Sequence, residues 1–212
     1  YSAGNWIQMG SDIDGETTED HSGFAVSLSS NGNTLAIGAQ DNDDAGYQRG
    51  HVRIYNWNGS SWIQMGSDID GEANNDQSGN SVSLSDNGNT IAIGAYTNNG
   101  INGSSSGHVR VYSFKNNAWS QIGSDIDGEE AMDNSGQSVA VNNNGSILVV
   151  GAPENDYLGE QAGHVRVFSS QISCPQPLDI TILASPTLDL GADTTLICAG
   201  TSQILDAGTG FD

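Results

Sequence analysis

The stretch Ser78-Gly79-Asn80-Ser81-Val82-Ser83-Leu84-Ser85-Asp86-Asn87-Gly88-Asn89-Thr90-Ile91-Ala92-Ile93-Gly94-Ala95, followed at 107–114 by GHVRVYSF, carries the alternation from which the fold can be read. In Ser81–Ser85 and Thr90–Gly94 every second residue is aliphatic, and those between are small. A period of two marks strands, because successive side chains of a strand point to opposite faces. Asn87-Gly88 lies between the two runs, and Asn and Gly accept the positive φ of a tight hairpin turn. A sheet with bulk on one face and almost nothing on the other can be approached very closely from its bare side. That suits inner strands crowded between neighbouring blades of a propeller.

Outward from this stretch, the same pattern occurs twice more. DHSGFAVSLSSNGNTLAIGA at 20–39 precedes GHVRIY at 50–55, and DNSGQSVAVNNNGSILVVGA at 133–152 precedes GHVRVF at 163–168. A tryptophan segment accompanies them, WIQMGSDIDGE at 6–16 and 62–72 and WSQIGSDIDGE at 119–129. Trp6 to Trp62 spans 56 positions and Trp62 to Trp119 spans 57, the extra residue falling in the loop between Ala95 and Gly107. A fixed period whose only length change sits in one loop is the mark of stacked supersecondary units. Each unit reads as four strands. The third, GHVRVYSF, has Val109 and Val111 on one face and His108, Arg110 and Tyr112 on the other; the fourth and outermost, NAWSQIGSDI at 117–126, runs into the acidic turn Asp125–Glu129.

The expected fold is therefore all-β, a partial β-propeller of about three four-stranded blades at about 20–72, 76–129 and 133–170. Residues 1–16 are then an outer strand of a preceding or closing blade, and the third unit lacks its own, since SSQISCPQPLD at 169–179 replaces the tryptophan segment. Known propellers use about four to eight blades, so three form an open arc or need blades from elsewhere. Beyond the repeats, Pro175, Pro177 and Pro186 mark a change of composition. Residues 171–185 read as a linker and 186–212 as the start of a truncated β-sandwich.

Composition agrees with this. Of 212 residues 35% are hydrophobic and 28 are glycine, and no window has the 3.6-residue apolar period, so almost no helix is expected. The net charge of −21, from 26 acidic against five basic side chains of which only Lys115 is lysine, excludes nucleic-acid binding, which depends on neutralising phosphate with Lys and Arg. No apolar run is long enough to span a bilayer, and membrane insertion is not expected. Strong acidity suits a saline or calcium-rich exterior, and a start at Tyr1 with an end at Gly210-Phe211-Asp212 points to a piece of a longer secreted or cell-surface protein. Cys174 and Cys198 would pair in an oxidising compartment and stay free thiols in a reducing one.

SGNSVSLSDNGNTIAIGA with GHVRVYSF is similar to the FG-GAP repeat of integrin-α-type β-propellers. The matching features are the pairs Ser22-Gly23, Ser78-Gly79 and Ser135-Gly136 that open the inner strand, and a closing Gly-Ala-Pro that is complete only in Gly151-Ala152-Pro153. The W-x-Q-x-G-S-D-I-D-G-E segment resembles a bacterial variety found in large secreted surface proteins, and LDLGADTTLICAG with LDAGTGF resembles immunoglobulin-like modules of bacterial adhesins. The resemblance implies calcium bound in the first hairpin loop through D-x-D-x-D-G. This chain departs from that pattern, having only Ser85-Asp86-Asn87-Gly88-Asn89 and its counterparts there.

Two other sets of acidic residues could hold a structural Ca2+, which takes six to eight oxygens. The recurring set is Asp12, Asp14, Glu16 and Asp20, repeated as Asp68, Asp70, Glu72 and Asp76 and as Asp125, Asp127, Glu129 and Asp133. Four carboxylates within nine residues on one turn could converge on a cation. Against this, Asp and Glu are ordinary turn residues and partners for nearby Arg, and D-x-D-G is only half of an established signature, so the balance favours the structural role. The loop Asp41-Asn42-Asp43-Asp44-Ala45-Gly46 is a weaker case. His51, His108 and His164 lie too far apart in successive blades to share one ion and are expected to be satisfied structural residues. Arg53, Arg110 and Arg166 should each meet an acidic group, because a buried unpaired guanidinium costs several kcal/mol. Trp6, Trp62 and Trp119 recur strictly, which argues for packing between blades before sugar stacking.

Recognition is sought where the copies differ: His21 against Gln77 and Asn134, Tyr47 and Arg49 in the first loop, Trp57 against Phe114, and Tyr157 in the third. The carboxylate clusters occur in triplicate and the serines sit in strand and turn repeats without the strand-to-helix context of a G-x-S-x-G elbow, so no catalytic residues are expected. These readings lead to a non-catalytic recognition, adhesion or scaffold module with a protein or glycan ligand and with the remaining blades of its parent chain as partners. The alternatives are an accessory propeller of an extracellular carbohydrate-active enzyme and a purely architectural spacer.

Overall fold

A computed structural model describes residues 4–170. They contain no helix; thirteen strands form three antiparallel sheets, one per repeat, as an arc of a β-propeller. The first sheet comprises β1 (Ala25–Leu28), β2 (Thr34–Ala39), β3 (His51–Trp57), β4 (Trp62–Gln64) and β5 (Ile69–Asp70). The second repeats it with β6 (Ser81–Leu84), β7 (Thr90–Ala95), β8 (His108–Lys115), β9 (Ala118–Gln121) and β10 (Ile126–Asp127). The third has only β11 (Ser138–Val141), β12 (Ile147–Ala152) and β13 (His164–Ser169). The linker and the β-sandwich expected after residue 170 lie outside the described residues.

The expected fourth strand is two short ones. Both β9 and β10 pair with β8, Tyr112 opposite Gln121 and Val109 opposite Ile126. The chain leaves the ladder between them at Gly123, whose φ of +74° few other residues tolerate. Of residues 1–16, read as an outer strand, the described residues 4–16 form none.

The hairpin turns also differ in detail. Gly32, Gly88 and Gly145 have φ near +70°, but the asparagines before them do not. Asn87 instead turns its Oδ1 toward the chain and accepts from the Asn89 N–H at 2.9 Å and the Ser85 hydroxyl at 3.0 Å, while Ser85 Oγ accepts from the Thr90 N–H. The five-residue loop needs one left-handed residue, and Asn serves by its side chain.

Between sheets, bulk packs against bareness as the alternation requires. Leu84, Ile91, Ile93 and Tyr112 of the second unit meet Ala36, Val52, Ile54 and Ile69 of the first. Ala92 and Val109 then meet Leu148 and Val150 of the third. Close approach depends on the small residues, since a Cβ at Gly38 or Gly94 would overlap the carbonyl oxygen of Gly79 or Gly136 in the next unit. Ser27 Oγ accepts from the Leu84 N–H at 2.9 Å, and Ser83 Oγ from the Val141 N–H at 3.0 Å. Inner strands of adjacent sheets are thus joined by hydrogen bonds as well as by apolar contact.

Candidate functional site

The acidic turn that closes one unit reaches the third strand of the next. Glu16 faces Arg53 at 3.5 Å, and Glu72 faces Arg110 and Glu129 faces Arg166, each at 3.8 Å. The second guanidinium nitrogen of each arginine donates to a backbone carbonyl of the same turn, that of Asp14, Asp70 or Asp127. Each guanidinium also lies over the ring two residues on, Tyr55, Tyr112 or Phe168, at 5.2–5.8 Å. The arginines are paired as expected.

The histidines are not satisfied in the expected way. His51 Nδ1 stands 3.7 Å from Glu16 Oε2 and 3.9 Å from Asp68 Oδ2. His108 Nδ1 stands 3.8 Å from Glu72 Oε2 and 4.0 Å from Asp125 Oδ2. These distances exceed a hydrogen bond. Both rings are buried, and Nε2 of His108 has no partner among the described residues. Burial and the adjacent Arg110 hold the His108 pKa below that of a free imidazole, while the carboxylates oppose this. Burial raises Glu16 above the usual carboxylate range, with Asp68 adding to the shift and Arg53 opposing it. Among the described residues His164 faces only Glu129, at 3.6 Å.

The four carboxylates of one turn therefore do not converge. Asp20 accepts from the Thr17 N–H and hydroxyl, Asp76 from the Glu72 and Ala73 N–H groups, and Asp133 from the Glu129 and Glu130 N–H groups. Asp12, Asp68 and Asp125 accept from the glutamine four residues before each. Asp14, Asp70 and Asp127 contribute backbone carbonyls to arginine rather than carboxylates to a cluster. What comes together is Glu16 with His51 and Asp68, and Glu72 with His108 and Asp125. Each group joins a carboxylate from one acidic turn to a histidine and a carboxylate of the following unit.

The symmetry-breaking residues divide between the ends of the sheets. Tyr47 and Tyr157 are exposed on the loops joining the second and third strands. Arg49, on the first of these loops, is tied down by bonds from Nε to the Gly71 carbonyl at 2.6 Å and from Nη1 to the Ala45 carbonyl at 2.8 Å. At this same end Asp41 accepts from Gln77 and pairs with His21. A depression of about 400 Å³ lies here, lined by Gln48, Asn75, Gln77, Thr97, Asn99 and two serines, with Tyr47 adjoining through its carbonyl bond from the Asn75 N–H. Sequence reasoning missed it because its wall is drawn from three separate loops.

Trp57 sits at the opposite end, against Trp62 with ring centroids 5.3 Å apart; Phe114 and Trp119 form the matching pair at 5.1 Å. Trp62 Nε1 donates to the Met9 carbonyl and Trp119 Nε1 to the Met65 carbonyl, so both fasten a unit to the segment before it. Trp119 also lines a second depression of about 520 Å³ with Gln64, Asp68 and Tyr112. Trp6 is fully exposed.

An FG-GAP repeat is found at residues 68–112 by match to that family. No curated protein matches the chain. Among solved structures, the chain is similar to a protein assigned as a 6-phosphogluconolactonase from Bacteroides uniformis, at 12% identity and a TM-score of 0.45, over 70% of this chain and 37% of that one. It is also similar to a eukaryotic initiation factor, at 13% identity and a TM-score of 0.43, over 69% of this chain and 29% of that one. The chain thus spans about a third of the length of these two.

Proposed function

We propose that this protein is a non-catalytic recognition module of a secreted or cell-surface protein, and that its ligand is a glycan held at the loop end of the arc. The carrying observation is the depression walled by Gln48, Asn75, Gln77, Thr97 and Asn99 beside exposed Tyr47. Amide and hydroxyl groups donate and accept hydrogen bonds as sugar hydroxyls require, and Tyr47, exposed on its loop, accepts through its carbonyl from the Asn75 N–H of the wall. In a chain of net charge −21 this wall holds no charged side chain, which favours a neutral polar ligand. The FG-GAP repeat at 68–112 supports an adhesion-type setting. Acidic groups that recur in register serve the joins between units, as architecture does, rather than one reacting centre.

The two end faces of the arc are read as seats for the remaining blades of the parent chain. Val26 and Leu28 are exposed at one end, Val165 and Val167 at the other. These are the bulky and the bare halves of the interface that joins the units internally. The reading is tested by a glycan array probed with the intact chain and with Tyr47→Ala and Thr97→Ala. A glycan signal lost in both variants supports it; the absence of any glycan signal, or signals unchanged in both, would overturn it.

A further inference from the structure

We propose that each complete seam between units binds a divalent first-row transition cation, through Glu72, His108 and Asp125 at one seam and Glu16, His51 and Asp68 at the other. In each triad the three ligand atoms lie within 4.8 Å of one another. Two atoms bound tetrahedrally at about 2.1 Å from one ion stand about 3.4 Å apart. The observed 3.7–4.0 Å from imidazole to carboxylate is too long for hydrogen bonds and within a few tenths of an ångström of that spacing. His108 is buried, its Nε2 has no hydrogen-bond partner among the described residues, and its Nδ1 stands 3.8 Å from Glu72 Oε2 and 4.0 Å from Asp125 Oδ2.

The surroundings suit a metal. Arg110 holds the other oxygen of Glu72 and the Asp70 carbonyl, orienting the carboxylate as outer-shell groups do. One imidazole with two carboxylates suits Zn2+ or Co2+, whereas Ca2+ prefers oxygen alone. The third seam is an internal control. Among the described residues His164 meets Glu129 and no second carboxylate, and the sequence after β13 lacks the Asp-x-Asp-Gly turn. An ion bridging Glu72 to Asp125 would fasten adjacent blades, a use separate from ligand recognition at the loop end.

The test is the Zn2+ stoichiometry of the full chain by native mass spectrometry, with Co2+ absorption as a second probe, in a Cys174→Ser, Cys198→Ser background that removes thiolate sites. The parent binds two ions. His51→Gln and His108→Gln each lose one, the double variant loses both, His164→Gln keeps two, and tenfold excess Ca2+ displaces neither. Should a buried histidine variant fail to fold, the partly exposed Asp68→Asn and Asp125→Asn replace it, with circular dichroism confirming strand content and affinity at the altered seam falling at least tenfold. Stoichiometry and affinity unchanged in these variants, or displacement by equimolar Ca2+, would overturn the proposal.

Discussion

Val109 and Val165 occupy the same place in two copies of Gly-His-Val-Arg-Val, yet the first is 0% exposed and the second 65%. Their strands pair with the preceding one through the same register, but Val109 also pairs with Ile126 of β10, which the third unit lacks among the described residues. The second unit is flanked on both sides, while the third presents its outgoing face to solvent. Gly94 and Gly151 make the same contrast, since a Cβ at Gly94 would strike the backbone of the next unit and one at Gly151 meets only the Ser138 side chain. In such an array each unit draws its burial from its neighbours, so stability is a sum of nearest-neighbour terms.

If that comparison is right, its largest consequence is assembly. The intact chain should associate head to tail with rising concentration, Val26 and Leu28 of one copy against Val165 and Val167 of another, and Val167→Lys should abolish this. A monomer by light scattering at every concentration would break the argument. Next, Ile91→Ala, at a 0% exposed position between the first two units, should cost about 2–5 kcal/mol in urea unfolding, and Val167→Ala less than about 0.5 kcal/mol. Gly94→Ala should cost about 1–3 kcal/mol by forcing adjacent backbones apart, while Gly151→Ala is nearly neutral because a serine rotamer can move. Equal costs at 94 and 151 would remove close approach from the account.

A finer test compares Gly66 with Gly123, which share a φ of +74°. Alanine is strained at both by about 1–2 kcal/mol, but only at Gly66 does its methyl also meet Trp119, 3.1 Å away. Gly66→Ala should therefore be the more damaging, by a margin that Trp119→Ala removes. The smallest effect is a pH dependence at Asp20. Burial raises its pKa, but hydrogen bonds from the Thr17 N–H and hydroxyl outweigh this and leave it lowered. With the folded value below the unfolded one of about 3.9, Asp20 stabilises at neutral pH, and that contribution fades as pH falls through the folded value. Asp20→Asn should flatten the decline in urea midpoint between neutral pH and the acid range.

Much of the arc was legible from residues alone. Alternation in Ser81–Ser85 and Thr90–Gly94 located two strands and foretold the bare face that the next unit approaches. Scarcity of basic residues foretold that Arg53, Arg110 and Arg166 would find carboxylates. The turn asparagines were misread because a side chain that can adopt positive φ can also accept hydrogen bonds, and the five-residue loop selects the second use. The carboxylates of one acidic turn separate because Asp76 folds back onto the N–H groups of Glu72 and Ala73 while Glu72 reaches Arg110 of the next unit.

Sequence by itself determined the three inner strands of each unit, the period and the chemistry of each position, because these depend on residues within one unit. Only the tertiary structure decided that Glu72 would meet His108 and Asp125, that Arg49 would be tied into its loop, and that identical valines would be buried or bare. Those outcomes depend on how one sheet is set against the next, and that angle is fixed by packing across a seam whose two sides come from different units of the chain.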